Sequence, residues 1–185
     1  MGSLFYHNYF SPFDSFIIVW KEFGSGLRIQ RIFLSDPELK SENKLRESFK
    51  QIKFGSSSSI NLLGEKIKNF FKGEKVSFDL ELIDFNQCFE VQKRVLLAEY
   101  EIPRGFVSTY KRIANNIGIP NGARVVGNAL ARNPFPIIIP CHRAIKTNGD
   151  LGGFQGGTDM KRKLLELEGI AISEKGRVIT NKIYF

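Results

Sequence analysis

Cys141 and His142 place a thiol beside an imidazole, with Pro140 before them and Arg143 after. The 185-residue chain has two cysteines and two histidines, so this dipeptide holds half of each supply. A cysteine in apolar surroundings is ordinarily a small core residue. It becomes a nucleophile when a nearby base or positive charge favours the thiolate. The prolines of the run from Asn133 to Pro140 confine the approach to extended backbone, and neighbours on a strand point to opposite faces. Pairing of Cys141 with His142 therefore requires a bend or a bridging water. An acid to orient the imidazole must come from elsewhere, and Glu166 and Glu168 on the following helix are the local candidates.

Composition narrows the setting. Apolar residues make up 42% of the chain and include 17 phenylalanines, enough for one large or two small cores. No apolar run reaches the roughly 20 residues that span a bilayer, and the N-terminus lacks the pattern of a secretory signal. Tyr6 stands where a myristoylation signal needs Ser or Thr. Two cysteines make neither a disulfide framework nor a metal-ligand spacing, so an intracellular, reducing location is expected. Charge is unevenly placed. Residues 1–86 carry 12 Lys+Arg against 11 Asp+Glu, whereas residues 87–185 carry 15 against 8. The excess reads either as a solvated basic face or as a polyanion-binding one.

The elements that position these residues divide near Asn86. In residues 1–86, an α/β scaffold, Phe16–Trp20 reads as a strand and Gly24-Ser25-Gly26 as a turn into a second strand from Leu27. Leu45, Phe49 and Ile52 recur at helical spacing. Ile60, Leu63, Ile67 and Phe70 do so again, with Ser59 as the N-cap, and Val76 to Leu82 alternate as a strand or extended connector. In residues 87–185, Phe89 to Tyr100 predicts a helix closed by Ile102-Pro103-Arg104-Gly105. Ser108 or Thr109 caps a helix presenting Tyr110, Ile113 and Ile117, and Asn121 caps another ending near Arg132. Two short helices across a glycine turn form a helix-turn-helix. The second carries Gly122, Ala123, Gly127, Ala129 and Ala131 around Arg124. That small-residue surface serves either tight packing or close approach to DNA without base readout, with Arg124 reaching into the stack. The end of the chain, from Gly176 to Phe185, reads as strand material.

These residues, in this order, resemble the O6-alkylguanine-DNA alkyltransferases (methylated-DNA–protein-cysteine methyltransferases). The resemblance rests on Ile102-Pro103-Arg104-Gly105, Tyr110 through Arg124, Asn133-Pro134, Pro140-Cys141-His142-Arg143, Gly156-Gly157 and Glu168-Gly169, and covers about residues 87–169. It implies a ribonuclease-H-like α/β N-terminal domain and a mostly helical, winged-helix-like DNA-binding domain carrying the cysteine. By the same resemblance Cys141 accepts the alkyl group and His142 takes the thiol proton through a water. Glu168 orients His142, Tyr110 protonates the departing guanine, and Asn133 ties the DNA-binding motif to the cysteine loop. Arg124 fills the gap left by a flipped nucleotide. Thr109, Tyr110, Gly122, Ala123, Gly127, Asn128 and Arg143 complete the DNA-contacting set, and Pro136, Ala144, Phe154, Gln155, Gly156 and Gly157 line the pocket.

The implied partner is double-stranded DNA, bound through the minor groove by a monomer without sequence preference. No cofactor, metal or membrane is implied, and the compartment is the cytoplasm of a prokaryote or the nucleus of a eukaryote. Phe154-Gln155 departs from the family's Tyr-Ser, and His7 has no cysteine with which to build the zinc site of some relatives. Gly156 lacks the tryptophan that some relatives place there, so alkyl groups larger than methyl are expected to fit. Three other classes compete, one of them a plain winged-helix DNA-binding protein in which Cys141 would be dispensable. Lesion sensors of related sequence have lost the cysteine, which Cys141 argues against. A Cys–His hydrolase or redox protein needs an oxyanion loop or a resolving cysteine, and neither is evident.

Overall fold

The computed structural model describes residues 2–24 and 26–185, so Ser25 of the predicted turn lies outside the described residues. The chain forms two compact units, residues 1–87 with 134–138 and residues 88–133 with 139–185.

In the first unit β1 (Leu4–Ser11), β2 (Asp14–Phe23) and β3 (Gly26–Leu34) make an antiparallel meander, and β4 (Lys53–Phe54) adds in parallel beside β1. β2 lies inside the sheet, and its Phe16–Trp20 run is buried without a break because both faces are covered. Ile17 and Val19 meet Leu45 of α1 (Ser41–Ser48) on one face. On the other face Phe16 contacts Tyr9 and Phe71, the latter from α2 (Ser58–Phe71). Gly64 lets α2 press against the Tyr9 ring, since a Cβ there would lie 2.3 Å from it.

Several expectations need correction here. The helix suggested by Leu45, Phe49 and Ile52 ends at Ser48, and the last two reach the same core from the loop beyond. α2 is capped at Ser57 rather than Ser59, without a side-chain bond. Val76 to Leu82 form a connector and no strand; at its end the Leu82 carbonyl accepts from the Ile29 N–H, and the Asp84 N–H beyond donates to the Ile29 carbonyl. β1 was not anticipated, because its aromatic and polar residues alternate too irregularly for a period-two reading. Residues 134–138 belong to this unit because the Ile32 N–H donates to the Pro134 carbonyl (2.8 Å) and buried Phe135 packs edge-on against Phe85. That stretch is not the stiff strand its prolines suggested. It turns at Ile137, a non-glycine residue with φ of 76°.

The second unit is mainly helical. α3 (Glu90–Glu101) leads into β5 (Ser108–Thr109), which runs directly into α4 (Tyr110–Asn116). The Thr109 hydroxyl accepts from the Arg112 N–H and caps that helix. Gly118, with φ of +71°, reverses the chain into α5 (Ala123–Ala131), which follows Gly122 rather than Asn121 as its cap. α5 buries Val126, Ala129 and Leu130 and leaves Arg124, Val125, Asn128, Ala131 and Arg132 exposed. Gln92 on α3 donates to the Ala129 and Arg132 carbonyls and so satisfies the far end of α5.

β6 (Ala144–Ile145) pairs in parallel with β5, bringing the start of α4 alongside the segment that follows the cysteine. α6 (Thr158–Leu167) packs over this ladder through Leu165, in a core with Val107, Ile145, Leu151 and Ile170. β7 (Ala171–Ile172) and β8 (Val178–Ile179) form a short antiparallel pair. The chain end then covers the edge beside β5, where the Val107 N–H donates to the Lys182 carbonyl and the Tyr184 N–H to the Val107 carbonyl. Among the described residues no helix is long and apolar enough to cross a membrane.

Candidate active site

Cys141, His142 and Arg143 form a single 3₁₀ turn between the Ile139 and Ala144 positions. The Cys141 N–H donates to the Ile139 carbonyl and the Arg143 N–H to that of Pro140, both at 2.8 Å. This is the bend that the sequence required, so the two side chains no longer alternate as they would on a strand. Asn133, directly after α5, locks the turn. Its Nδ2 donates to the Ile139 carbonyl at 3.1 Å and to Cys141 Sγ at 3.2 Å. Gln155 in turn donates to the Asn133 carbonyl at 3.2 Å, so the residue that departs from the family pattern braces the hinge asparagine.

His142 is fully buried, and its Nε2 lies 3.0 Å from Glu168 Oε1. Glu168 follows the last turn of α6 and is clamped from three sides. Arg143 grips both its oxygens, Nε to Oε2 at 2.9 Å and Nη2 to Oε1 at 2.7 Å, and the Gly105 N–H donates to Oε2 at 3.3 Å. Burial opposes ionisation of Glu168, but His142 and the Arg143 guanidinium outweigh it and hold the carboxyl well below the usual carboxylate range. Burial also pushes the His142 pKa down, against the pull of Glu168. The imidazole is therefore neutral, donating Nε2–H to Glu168 and keeping Nδ1 as its acceptor. Phe154 meets the His142 ring edge-on at 6.2 Å.

The thiol itself is shielded. Burial pushes the Cys141 pKa up to about 11, with the Asn133 hydrogen bond pulling the other way. At neutral pH Cys141 rests as a thiol, protected from oxidants that need a thiolate. Its activation must therefore accompany substrate binding.

The other expected site residues fall in several different settings. Tyr110 lies half-buried at the head of α4 with its hydroxyl close against Gly152, where a Cβ would come within 2.5 Å. Arg124 and Asn128 are exposed on α5, with Ala123 and Gly127 half-covered between them. Gly122 is buried and its missing Cβ would collide with Ile119, so it makes room for the turn rather than a contact surface. Arg143, expected on DNA, is committed instead to Glu168 and to the Ile102 carbonyl (2.6 Å). Ala144 is wholly buried, Pro136 belongs to the first unit, and Gly157 opens α6 with φ of 87°. Glu166, the alternative acid, pairs with Arg162 on the exposed side of α6. At Gly156 the absent side chain is replaced by Met160, whose Sδ would lie 2.2 Å from a Cβ.

Two residues were missed. Lys161 is fully buried, with Nζ donating to the Ala144 carbonyl at 2.6 Å and the Gly153 carbonyl at 3.2 Å. Burial pulls its pKa down to about 8, while the Cys141 and Glu99 charges support the cation. Glu99 on α3 is likewise fully buried. Both had a legible signal, since each sits on its helix's apolar stripe, Glu99 with Val95 and Ile102 and Lys161 with Leu164 and Leu165.

A single shielded thiol, with a neutral histidine held by an ionised glutamate, defines a protein built for covalent chemistry at cysteine. Residues 90–170 match the family model described as 6-O-methylguanine DNA methyltransferase, DNA binding domain. A methylated-DNA–protein-cysteine methyltransferase from Methanothermobacter thermautotrophicus is 44% identical over 124 residues, which take in 65% of this chain and 69% of that protein. The protein of the same name from Mycobacterium tuberculosis is 45% identical over 104 residues, 56% of this chain and 62% of its own length. The crystal structure of Mycobacterium tuberculosis OGT in complex with DNA superposes with a TM-score of 0.71 at 32% identity, covering 89% of this chain and 92% of that one. The chain belongs to the methylated-DNA–protein-cysteine methyltransferase family.

Proposed function

We propose that this protein repairs DNA by taking the alkyl group from O6-alkylguanine, and from O4-alkylthymine, onto Cys141 in a single irreversible turnover. The observation that carries this is the Asn133–Cys141–His142–Glu168 chain of contacts, lying in the same unit as the α4–α5 pair. Base O6 in a duplex cannot reach a buried sulfur, so the nucleotide must rotate out, at a cost of a few kcal/mol. Arg124, on the exposed face of α5, fills the vacated space from the minor groove. The small neighbours Ala123 and Gly127 let the helix approach without reading bases, as befits damage that arises in any sequence. Asn128, exposed on the same helix, completes the contact to the DNA backbone.

His142 accepts the thiol proton at Nδ1 through a water, while Glu168 stabilises the resulting imidazolium. The sulfur then forms its bond to the alkyl carbon as the carbon–O6 bond breaks. The electron pair stays with guanine, which takes a proton from Tyr110. The thioether cannot be hydrolysed by this site, so one molecule serves one lesion. The first unit is a ribonuclease-H-like scaffold, the second a winged-helix-like module, and the protein acts as a monomer wherever its DNA lies, cytoplasm or nucleus.

The test is intact-protein mass after mixing with duplex DNA bearing one O6-methylguanine. One methyl per molecule, mapped to Cys141 and lost in Cys141→Ala, is the expected result. An unmodified protein that still binds the lesion sinks the repair activity. A second expectation concerns pocket size. Met160, a deformable thioether, fills the space beside Gly156, so O6-benzylguanine should label Cys141 with one benzyl group. Methyl transfer without benzyl transfer would show that Met160 closes the pocket.

A further inference from the structure

Glu99 has no part in the chemistry above, yet it is the most unusual side chain near it. It sits on the face of α3 packed against the Cys141 turn, is 0% exposed, and offers neither carboxyl oxygen a hydrogen-bond partner. The Ala144 amide approaches it, short of a full hydrogen bond. The charged and titratable groups that act on it or respond to it come from three elements. Lys161 projects from α6, Arg143 and Cys141 from the 3₁₀ turn, and Tyr110 from the head of α4. His142 and Glu168 titrate against one another and Arg143. A fully buried carboxyl with no side-chain donor is favoured as the neutral acid.

We infer that Glu99 is a positioning residue for Cys141: as a neutral acid it leaves the Lys161 charge to favour the thiolate, and on ionising it cancels that charge and holds the sulfur protonated. This rests on Cys141 being the alkyl acceptor. The charges around it support this. Lys161 favours the Cys141 thiolate and a Glu99 charge disfavours it. Glu99 and Cys141 charges both push the Tyr110 pKa up, after burial, to about 12. Burial itself drives the Glu99 pKa to about 8, against Lys161, Arg143 and the Ala144 amide. The reactivity of the acceptor thus climbs less steeply on the alkaline side than that of an ordinary thiol. The cluster also explains why a lysine is buried here at all. Two backbone carbonyls, those of Ala144 and Gly153, fix its cation in place.

The experiment compares wild type with Glu99→Gln, which keeps the shape and cannot ionise. Two rates at Cys141 are followed by mass spectrometry from about pH 6.5 to about pH 9.5. One is benzyl transfer from O6-benzylguanine and the other is alkylation by iodoacetamide, which needs only the thiolate. The ratio of variant to wild-type rate should rise severalfold with either reagent as Glu99 ionises, because a neighbouring like charge disfavours ionisation, and level off where Lys161 loses its own charge, from about pH 8. A ratio that stays constant with pH makes Glu99 a packing residue and overturns the inference. Absence from both proteins of benzyl transfer and of methyl transfer from O6-methylguanine DNA, with the iodoacetamide ratio still rising, removes the alkyl-acceptor function and leaves the effect of Glu99 on the thiol standing. Should the variant not fold, difference infrared spectra of the wild type decide. A carboxylic acid carbonyl band from isotope-labelled glutamate that survives at pH 7 and fades near pH 8 supports the inference, and its absence at pH 7 refutes it.

Discussion

Glu168→Gln should destabilise the protein by about 3–5 kcal/mol and slow alkyl transfer by roughly 10²-fold or more, because one carboxylate satisfies three partners. His142, Arg143 and the Gly105 amide all converge on it. The glutamine oxygen keeps one of these bonds. Its NH₂ then faces the guanidinium or the imidazole N–H as donor against donor, and the buried Arg143 charge loses its counter-ion. Breaking a buried pair from one side is costly for that reason. The imidazole also loses the charge that stabilises its protonated form, so the base is weakened as well as misplaced.

The sign of the pH dependence follows from Glu168 being held ionised far below the ordinary value of 4.5. Its stabilisation is fully present above that value and is lost as pH falls toward the lowered one. Urea titrations should therefore show the gap between wild type and variant at its widest near neutrality and narrowing below about pH 4.5. A gap that is unchanged down to about pH 3 would mean that Glu168 acts through shape alone.

How far the sequence revealed this site depends on what each residue needed in order to be placed. Cys141, His142 and Glu168 were legible because their chemistry is local or carried by a motif, and the bend between Cys141 and His142 could be demanded from strand geometry. The turn at Ile137 was not legible. A β-branched residue at positive φ is imposed by its surroundings, and no local propensity predicts it. Arg143 was misplaced for a related reason. An arginine beside an active-site cysteine in a basic half-chain looks like a phosphate contact, and only the three-dimensional arrival of Glu168 and the Ile102 carbonyl turns it inward. In the first unit the buried run of β2 announced the sheet interior, while the edge residues of β1 gave no period to read. Gln155 shows the opposite case. The motif flagged it as a departure, and the contact to the Asn133 carbonyl gives the departure a structural use.

Glu99→Leu should raise stability, and the gain should depend on pH in a direction opposite to that of Glu168. The Glu99 carboxyl moves from an ordinary 4.5 in the unfolded chain to about 8 in the folded one. Below 4.5 both states hold the proton and the residue costs little through ionisation. Between 4.5 and 8 the unfolded state releases its proton while the folded state cannot, so the fold loses about 1.4 kcal/mol for each pH unit. At pH 7 that amounts to about 3 kcal/mol, and above pH 8 the loss levels off. Leucine removes this term and adds a smaller, pH-independent gain from apolar burial. Denaturation of the two proteins should give curves that converge toward pH 4 and diverge toward pH 8. A constant offset would show that Glu99 is ionised inside the fold, held by Lys161 and Arg143, and that its alkaline effect on Cys141 has another source. If the curves diverge as expected, the protein keeps a destabilising acid on the buried face of α3, and the stability it forgoes is the measure of what a titratable neighbour is worth to a one-use thiol.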